Sequence, residues 1–234
     1  REFSIEHFHD SKVFETLIPK ICKIFREENE ELTGFENEEI LAEYQIYKTP
    51  GYVYMKGNVQ IYSAGKQAAD ISAFPEGIAV AVGSEEDVPD ICPDQTIDKV
   101  FTIENLTSFY RFKQEHSLVI YLGGYHDRSR RNLLMQIYQK LPDAQYYHFG
   151  DLDAGGFYIL EHLKRKTGIP FKMFQMDIET LKKYEDYAKP LTENDKKRLM
   201  QLEKMELPDE ERKLITYMLQ KGIKLEQECI SESQ

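Results

Sequence analysis

Two stretches decide the fold: Val100-Phe101-Thr102-Ile103-Glu104-Asn105 and Tyr147-His148-Phe149-Gly150-Asp151-Leu152-Asp153-Ala154-Gly155-Gly156. Each is an apolar, β-prone run that ends in acid and leads into a helix-like segment. That layout places Glu104, Asp151 and Asp153 at the carboxyl ends of strands, where open α/β sheets build their sites. Three carboxylates gathered there repel one another and call for a partner. Hard oxygen ligands favour Mg²⁺ or, as an alternative, Mn²⁺, and such a site suits phosphodiester chemistry.

Around these stretches the chain alternates strand and helix. Strands are expected at 99–104, 117–122, 145–150 and 171–175, and helices at 105–115, 127–140 and 155–167. Repeated units of this size imply a mostly parallel sheet with helices on its faces. Two charged amphipathic helices, 192–204 and 209–221, are expected to cover a sheet edge or meet another chain. Upstream, 11–32 reads as a helix, with Val13, Leu17, Ile21, Ile24 and Phe25 spaced at three and four. Residues 36–44 suggest a second helix, Thr49-Pro50-Gly51 a break, 52–62 an extended stretch, 70–83 a turn-rich one, and 90–95 a linker.

Within the second stretch, residues two apart on an extended chain point the same way, so Asp151 and Asp153 can face one ion. The glycines let backbone approach a ligand closely, and the next helix N-terminus adds a positive dipole for phosphate. The same residues also read as a solvated turn with a helix cap. Glu104, on the first strand of the same sheet, tips the balance toward a shared site.

Composition narrows the classes. The 234 residues are 41% hydrophobic and 30% charged, enough for a buried core. No run approaches a membrane span and no signal peptide opens the chain. It begins at Arg1 rather than methionine, as a piece of a longer protein would. Cys22, Cys92 and Cys229 are far apart and form no CxxC, which argues for a reducing, cytoplasmic setting and against structural zinc. The net charge of −11 opposes general DNA binding unless a local basic surface exists. Residues 108–140 supply one: Arg111, Lys113, Arg128, Arg130, Arg131 and Lys140 outnumber Glu115 and Asp127. Arg128, Arg130 and Arg131 read either as a solvated helix start or as a phosphate clamp, since arginine forks match phosphate oxygens.

An acid after the first strand and an aspartate pair after the third resemble the Toprim pattern of topoisomerases, bacterial primases and several nucleases. Thr102–Phe109, the Gly123-Gly124 turn, Asp151–Gly156 and Leu225-Glu226-Gln227-Glu228 are similar to the C-terminal part of the JetD family, the nuclease subunit of Wadjet anti-plasmid systems. The resemblance covers roughly residues 1 to 230. It implies an α/β fold: a Toprim-like, mostly parallel four-stranded sheet flanked by helices, with a smaller α+β N-terminal region. Residues 1–95 would be the end of a winged-helix-type domain and its connector, and 96–234 the Toprim domain with its C-terminal helices. The implied activity is Mg²⁺-dependent (or Mn²⁺-dependent) endonuclease cleavage of DNA, in a homodimer served by an SMC-like Wadjet motor complex. The alternative is a non-catalytic DNA-binding or assembly module on the same fold.

Relatives of this family, the topoisomerase VI A subunit and the meiotic double-strand-break protein, carry a nucleophilic tyrosine ahead of the Toprim. Aligned on Arg1–Phe8, Ser4 or Ile5 stands in its place, and Lys56-Gly57 resembles a step between the two domains. Isoleucine cannot attack and serine needs a base, so water is the expected nucleophile. Tyr125, after Gly123-Gly124, is the nearest alternative phenol. Two-metal hydrolysis needs further ligands, which makes Glu226 and Glu228 candidates, with Glu228 also a candidate to position water. His7, His9 and Asp10 have metal-like spacing, while Asp10-Ser11-Lys12 also reads as a helix cap. A phosphatase with Asp151 as nucleophile is disfavoured, because Gly155 stands where threonine or valine is expected.

Overall fold

The structure is a computed structural model and describes residues 2–35, 37–44, 46, 52–63, 65–81, 90–124, 126 and 128–230. Its centre is a mixed sheet of six strands: β1 (Tyr52–Lys56), β4 (Ile78–Ala81), β6 (Lys99–Ile103), β7 (Ser117–Tyr121), β8 (Gln145–Phe149) and β9 (Lys172–Met173). Their order is β4-β1-β7-β6-β8-β9. The last four run parallel, as the strand-helix rhythm implies, and β1 is antiparallel to both β7 and β4. The sheet therefore draws on both sides of residue 95. The strand expected at 171–175 is paired only at Lys172 and Met173.

Parallel strands are covered on both faces, so they read as nearly continuous apolar runs. Alternate side chains of β6 divide accordingly. Val100 joins a core with Leu118, Ile120, Tyr146 and the helical residues Leu133, Leu134, Ile137, Leu160 and Leu163. Phe101 and Ile103 join the opposite core with Val119, Phe149, Leu199, Leu214, Ile215 and Met218. The first face carries α5 (Arg128–Lys140) and α6 (Ala154–Thr167). The second carries α4 (Leu106–Arg111), α7 (Ile178–Lys183), α8 (Glu193–Leu202) and α9 (Asp209–Lys221). The two C-terminal helices thus pack on a sheet face rather than on an edge. A reciprocal capping box, Thr192 with Asp195, starts α8.

Residues 90–95, expected as a linker, hold a strand. β5 (Asp90–Pro93) pairs antiparallel with β2 (Val59–Ser63), and β3 (Lys66–Asp70) completes a three-stranded sheet. Pro93, the last residue of β5, masks an edge strand whose Ile91 is fully buried. The helix expected at 105–115 stops at Arg111, because Phe112 turns extended (φ −65°, ψ 126°) to bury its ring.

The first helices, α1 (Glu2–Phe8), α2 (Val13–Glu28) and α3 (Asn37–Glu43), enclose a small core of Cys22, Leu32, Phe35, Ile40 and Leu41. It rests on α6 through the Phe35–His162 ring contact and on α8 through Arg198, which donates to the Gly34 carbonyl at 2.6 Å. No cap bond from Asp10 or Ser11 starts α2; Asp10 Oδ1 instead accepts from the Lys12 amide at 2.7 Å. At the other end, Lys189–Pro190 (β10) pairs with Ile223–Lys224 (β11), and Leu152 bridges Leu225 by two backbone hydrogen bonds. That bridge returns the C-terminal segment to the carboxyl edge of the main sheet.

Candidate functional site

Glu104 follows β6 and Asp151 follows β8, and these strands are neighbours in register, Ile103 beside Phe149. Adjacency of the strand ends therefore brings the two acids together. The Asp151 amide donates to Glu104 Oε2 at 3.4 Å. Asp153 is the N-cap of α6, its Oδ1 accepting from the Gly156 amide at 2.9 Å. Gly156 is required there, since a β-carbon would stand 2.2 Å from the Asp151 carbonyl oxygen. Asp153 thus caps a helix, and it does so where its charge acts on Glu104 and Asp151.

Electrostatics report the crowding. Burial, then repulsion from Asp151 and Asp153, raises the Glu104 pKa from 4.5 to about 8, against one backbone hydrogen bond that lowers it. Burial also raises Asp151, from 3.8 to about 6, opposed by the Gln227 amide and reinforced by Asp153, Glu226 and Glu228. These carboxyls are held where their charges are poorly solvated and mutually repulsive.

The C-terminal segment closes the site. Gln227, fully buried, donates its amide to Asp151 Oδ1 at 2.6 Å and its Nε2 to the Phe149 carbonyl at 3.0 Å. Its Oε1 accepts from the Asn105 amide at 2.8 Å. One side chain thereby ties the ends of β6 and β8 together. Glu228 accepts from Asn105 Nδ2 at 2.6 Å, whereas Glu226 is drawn to Lys189 at 2.5 Å. The Glu228 side chain is thus anchored to the residue after Glu104, and Glu226 is engaged on the surface. Gln227 lies inside the Leu225–Glu228 stretch quoted above for its two glutamates; its own role arises from contact with residues 76 and 122 positions away.

Other expected residues fall elsewhere. Arg131 is buried and pairs with Glu43 through both oxygens, at 2.7 and 3.2 Å, and also donates to the His126 carbonyl. It locks α3 to α5 and is turned away from solvent. Arg130 reaches the Tyr52 carbonyl at 3.2 Å. Arg128 opens α5, but its side chain lies outside the described residues, as does Tyr125. Ser4 spends its hydroxyl inside the N-terminal segment, donating to the Asp10 carbonyl and accepting from the Phe14 amide. Lys56 is buried and donates to the Phe109 carbonyl at 2.6 Å, holding the C-terminal end of α4. Two neighbours not singled out by motif also act on the centre. Glu39 of α3 adds repulsion to Glu104, and Glu104 in turn acts on Tyr121 at the end of β7.

Whether a divalent cation fits can be judged from the donors. Among the described residues no three His, Cys, Asp or Glu side chains form a ready-made ion cage. Yet Glu104, Asp151 and Asp153 each commit one oxygen to a backbone amide, and their other oxygens have no hydrogen-bond partner among the described residues. Hard oxygens without donors, gathered where Asp151 and Asp153 raise the Glu104 pKa, fit a Mg²⁺ or Mn²⁺ ion.

Fold and site together define an α/β protein with an acidic centre at the carboxyl edge of a mixed sheet. Its sequence places it more closely: the chain belongs to the JetD family, matching the family described as "Wadjet protein JetD, C-terminal" over residues 86–234. It is 30% identical over 235 residues to the Wadjet protein JetD of Bacillus cereus (strain Q1), an alignment covering 98% of this chain and 56% of that protein. The chain thus spans little more than half the length of the curated relative it matches. No helix among the described residues is long and apolar enough to cross a membrane.

Proposed function

We propose that this chain is the cation-dependent nuclease region of a Wadjet-type plasmid-defence protein, hydrolysing DNA phosphodiester bonds. The observation that carries the reading is the meeting of Glu104 with Asp151 and Asp153 on adjacent strand ends, with Glu104 raised to about 8. Glu104, Asp151 and Asp153 would hold Mg²⁺ or Mn²⁺. When bound, the ion supplies polarisation of the scissile phosphate and stabilisation of the departing oxygen. Gln227 keeps Asp151 aimed, and Asn105 keeps Glu228 close enough to orient the attacking water. Arg130 stands at the start of α5, where it can meet a phosphate. Water as nucleophile leaves free DNA ends and no religation, as the engaged Ser4 hydroxyl and the apolar Ile5 favour. Pairing of two copies and delivery of DNA by an SMC-like motor complex belong to the same proposal.

The test is cleavage of plasmid DNA with Mg²⁺ or Mn²⁺ by wild type, Glu104→Ala and Asp151→Ala, with circular dichroism as the folding control. Cleavage lost in both variants, with the fold kept, supports the assignment. A second reading, a DNA-binding or assembly module without catalysis, draws on the engagement of all three acids by backbone amides. DNA binding with no cleavage under any divalent cation would favour it.

A further inference from the structure

Directly behind the acidic centre lies His148, on β8 and fully buried. Its Nδ1 is 3.0 Å from Thr102 Oγ1, and the Thr102 hydroxyl donates to the Tyr147 carbonyl at 3.2 Å. With that hydrogen committed, Thr102 accepts from Nδ1–H, and Nε2 carries the lone pair. Burial, with the Lys164 ammonium as a lesser cause, holds the His148 pKa down at about 3, so the ring is neutral. Nε2 has no hydrogen-bond partner among the described residues.

The orphaned nitrogen and Glu104 Oε2 both close on the backbone of Gly150. A β-carbon there would stand 2.8 Å from His148 Nε2 and 2.7 Å from Glu104 Oε2. Two acceptors thus lie beside one glycine, and the structure places no donor on Nε2 among the described residues. A buried acceptor left without a donor is costly, and a leucine or phenylalanine would fill this position without that cost. An imidazole here is explained by a donor that arrives with a ligand. Mg²⁺ and Mn²⁺ bring one, because they keep water ligands whose O–H groups need acceptors, and acceptors behind the ligands tune affinity.

We propose that His148 is a positioning residue of the cation site, its Nε2 accepting a hydrogen bond from a water ligand of the ion held by Glu104, Asp151 and Asp153. The proposal rests on the cation-dependent reading given above. It assigns Gly150 the task of letting Nε2 and Glu104 come close to the same stretch of backbone, and Thr102 the task of aiming the lone pair.

Calorimetric titration with MnCl₂ tests it, run beside thermal unfolding of the metal-free protein. Wild type should bind Mn²⁺ and Glu104→Ala should not. His148→Phe should bind about 10- to 100-fold more weakly, and more weakly than Thr102→Val, which loses the same Thr102–Nδ1 hydrogen bond but keeps Nε2. His148→Gln, which can present an oxygen where Nε2 stood, should recover most of the affinity, and Thr102→Val should lose part of it. Should His148→Phe fail to fold, His148→Leu and Thr102→Val carry the comparison. Wild-type affinity in the His148 and Thr102 variants, with binding abolished in Glu104→Ala, overturns the role of His148 and leaves the acidic site standing. Absence of Mn²⁺ binding in wild type overturns the cation reading, and this proposal with it.

Discussion

Raising the pH of the metal-free protein should destabilise it through Glu104. The folded-state pKa is about 8 against an ordinary 4.5, so the folded chain keeps a proton that the unfolded chain gives up. The stabilisation from this group is full below 4.5 and is lost as pH rises through about 8. Asp151 acts in the same direction over a lower window, between 3.8 and about 6. At about 1.36 kcal/mol per pKa unit, Glu104 alone should remove roughly 3 kcal/mol between about pH 5 and about pH 8. For a chain of this size that is a fall of about 10 °C in melting temperature. The assay is thermal unfolding in chelator across that range, comparing wild type with Glu104→Gln, which cannot ionise. The wild-type curve should fall more steeply, and the two should diverge by about 10 °C at the alkaline end. Saturating Mn²⁺, at about 100 times its dissociation constant, should restore about 2.7 kcal/mol to wild type only. Parallel curves for the two proteins would refute the reasoning, because they would show that Glu104 is solvated rather than crowded among acids.

Arg131→Ala should destabilise the protein by about 1.5–3 kcal/mol in urea unfolding, because it removes the bidentate bond to the Glu43 carboxylate and the bond to the His126 carbonyl. Arg130→Ala, which gives up the bond to the Tyr52 carbonyl, should cost about 1 kcal/mol of stability, weaken DNA binding and reduce its salt slope by about 1, as read by fluorescence anisotropy at several salt concentrations. Gln227→Ala removes the two side-chain hydrogen bonds to the Phe149 carbonyl and the Asn105 amide while keeping the backbone amide's bond to Asp151, and should cost about 2–3 kcal/mol with faster hydrogen exchange at the ends of β6 and β8. Quenching a cleavage reaction with denaturant should release DNA free of protein; a stable adduct lost in Tyr125→Phe would overturn the hydrolytic mechanism.

The strand-helix rhythm from residue 99 onward was legible because it is local: apolar runs of strand length, each followed by a helical period, specify βα units whatever the rest of the chain does. The acids were legible for the same reason. Glu104 and Asp151 sit one and two residues past their strands, and neighbouring parallel strands in register bring such positions together. Register itself came from the fold, as did the antiparallel strands β1 and β4, which extend the sheet with residues from the N-terminal half. Asp90–Pro93 looked like a linker because proline signals a break locally, while the partner that makes it a strand lies about thirty residues upstream. The arginine cluster shows the limit most clearly: a run of like residues cannot say which one turns inward. Arg131 does so because Glu43, 88 positions earlier, waits across the helix interface. The roles of Gln227 and His148 were invisible for the same reason, since burial and hydrogen-bond partners are properties of the assembled chain. Local pattern determined the units and placed the acids at their ends; long-range pairing decided which of the surrounding polar groups face the site and which hold the fold.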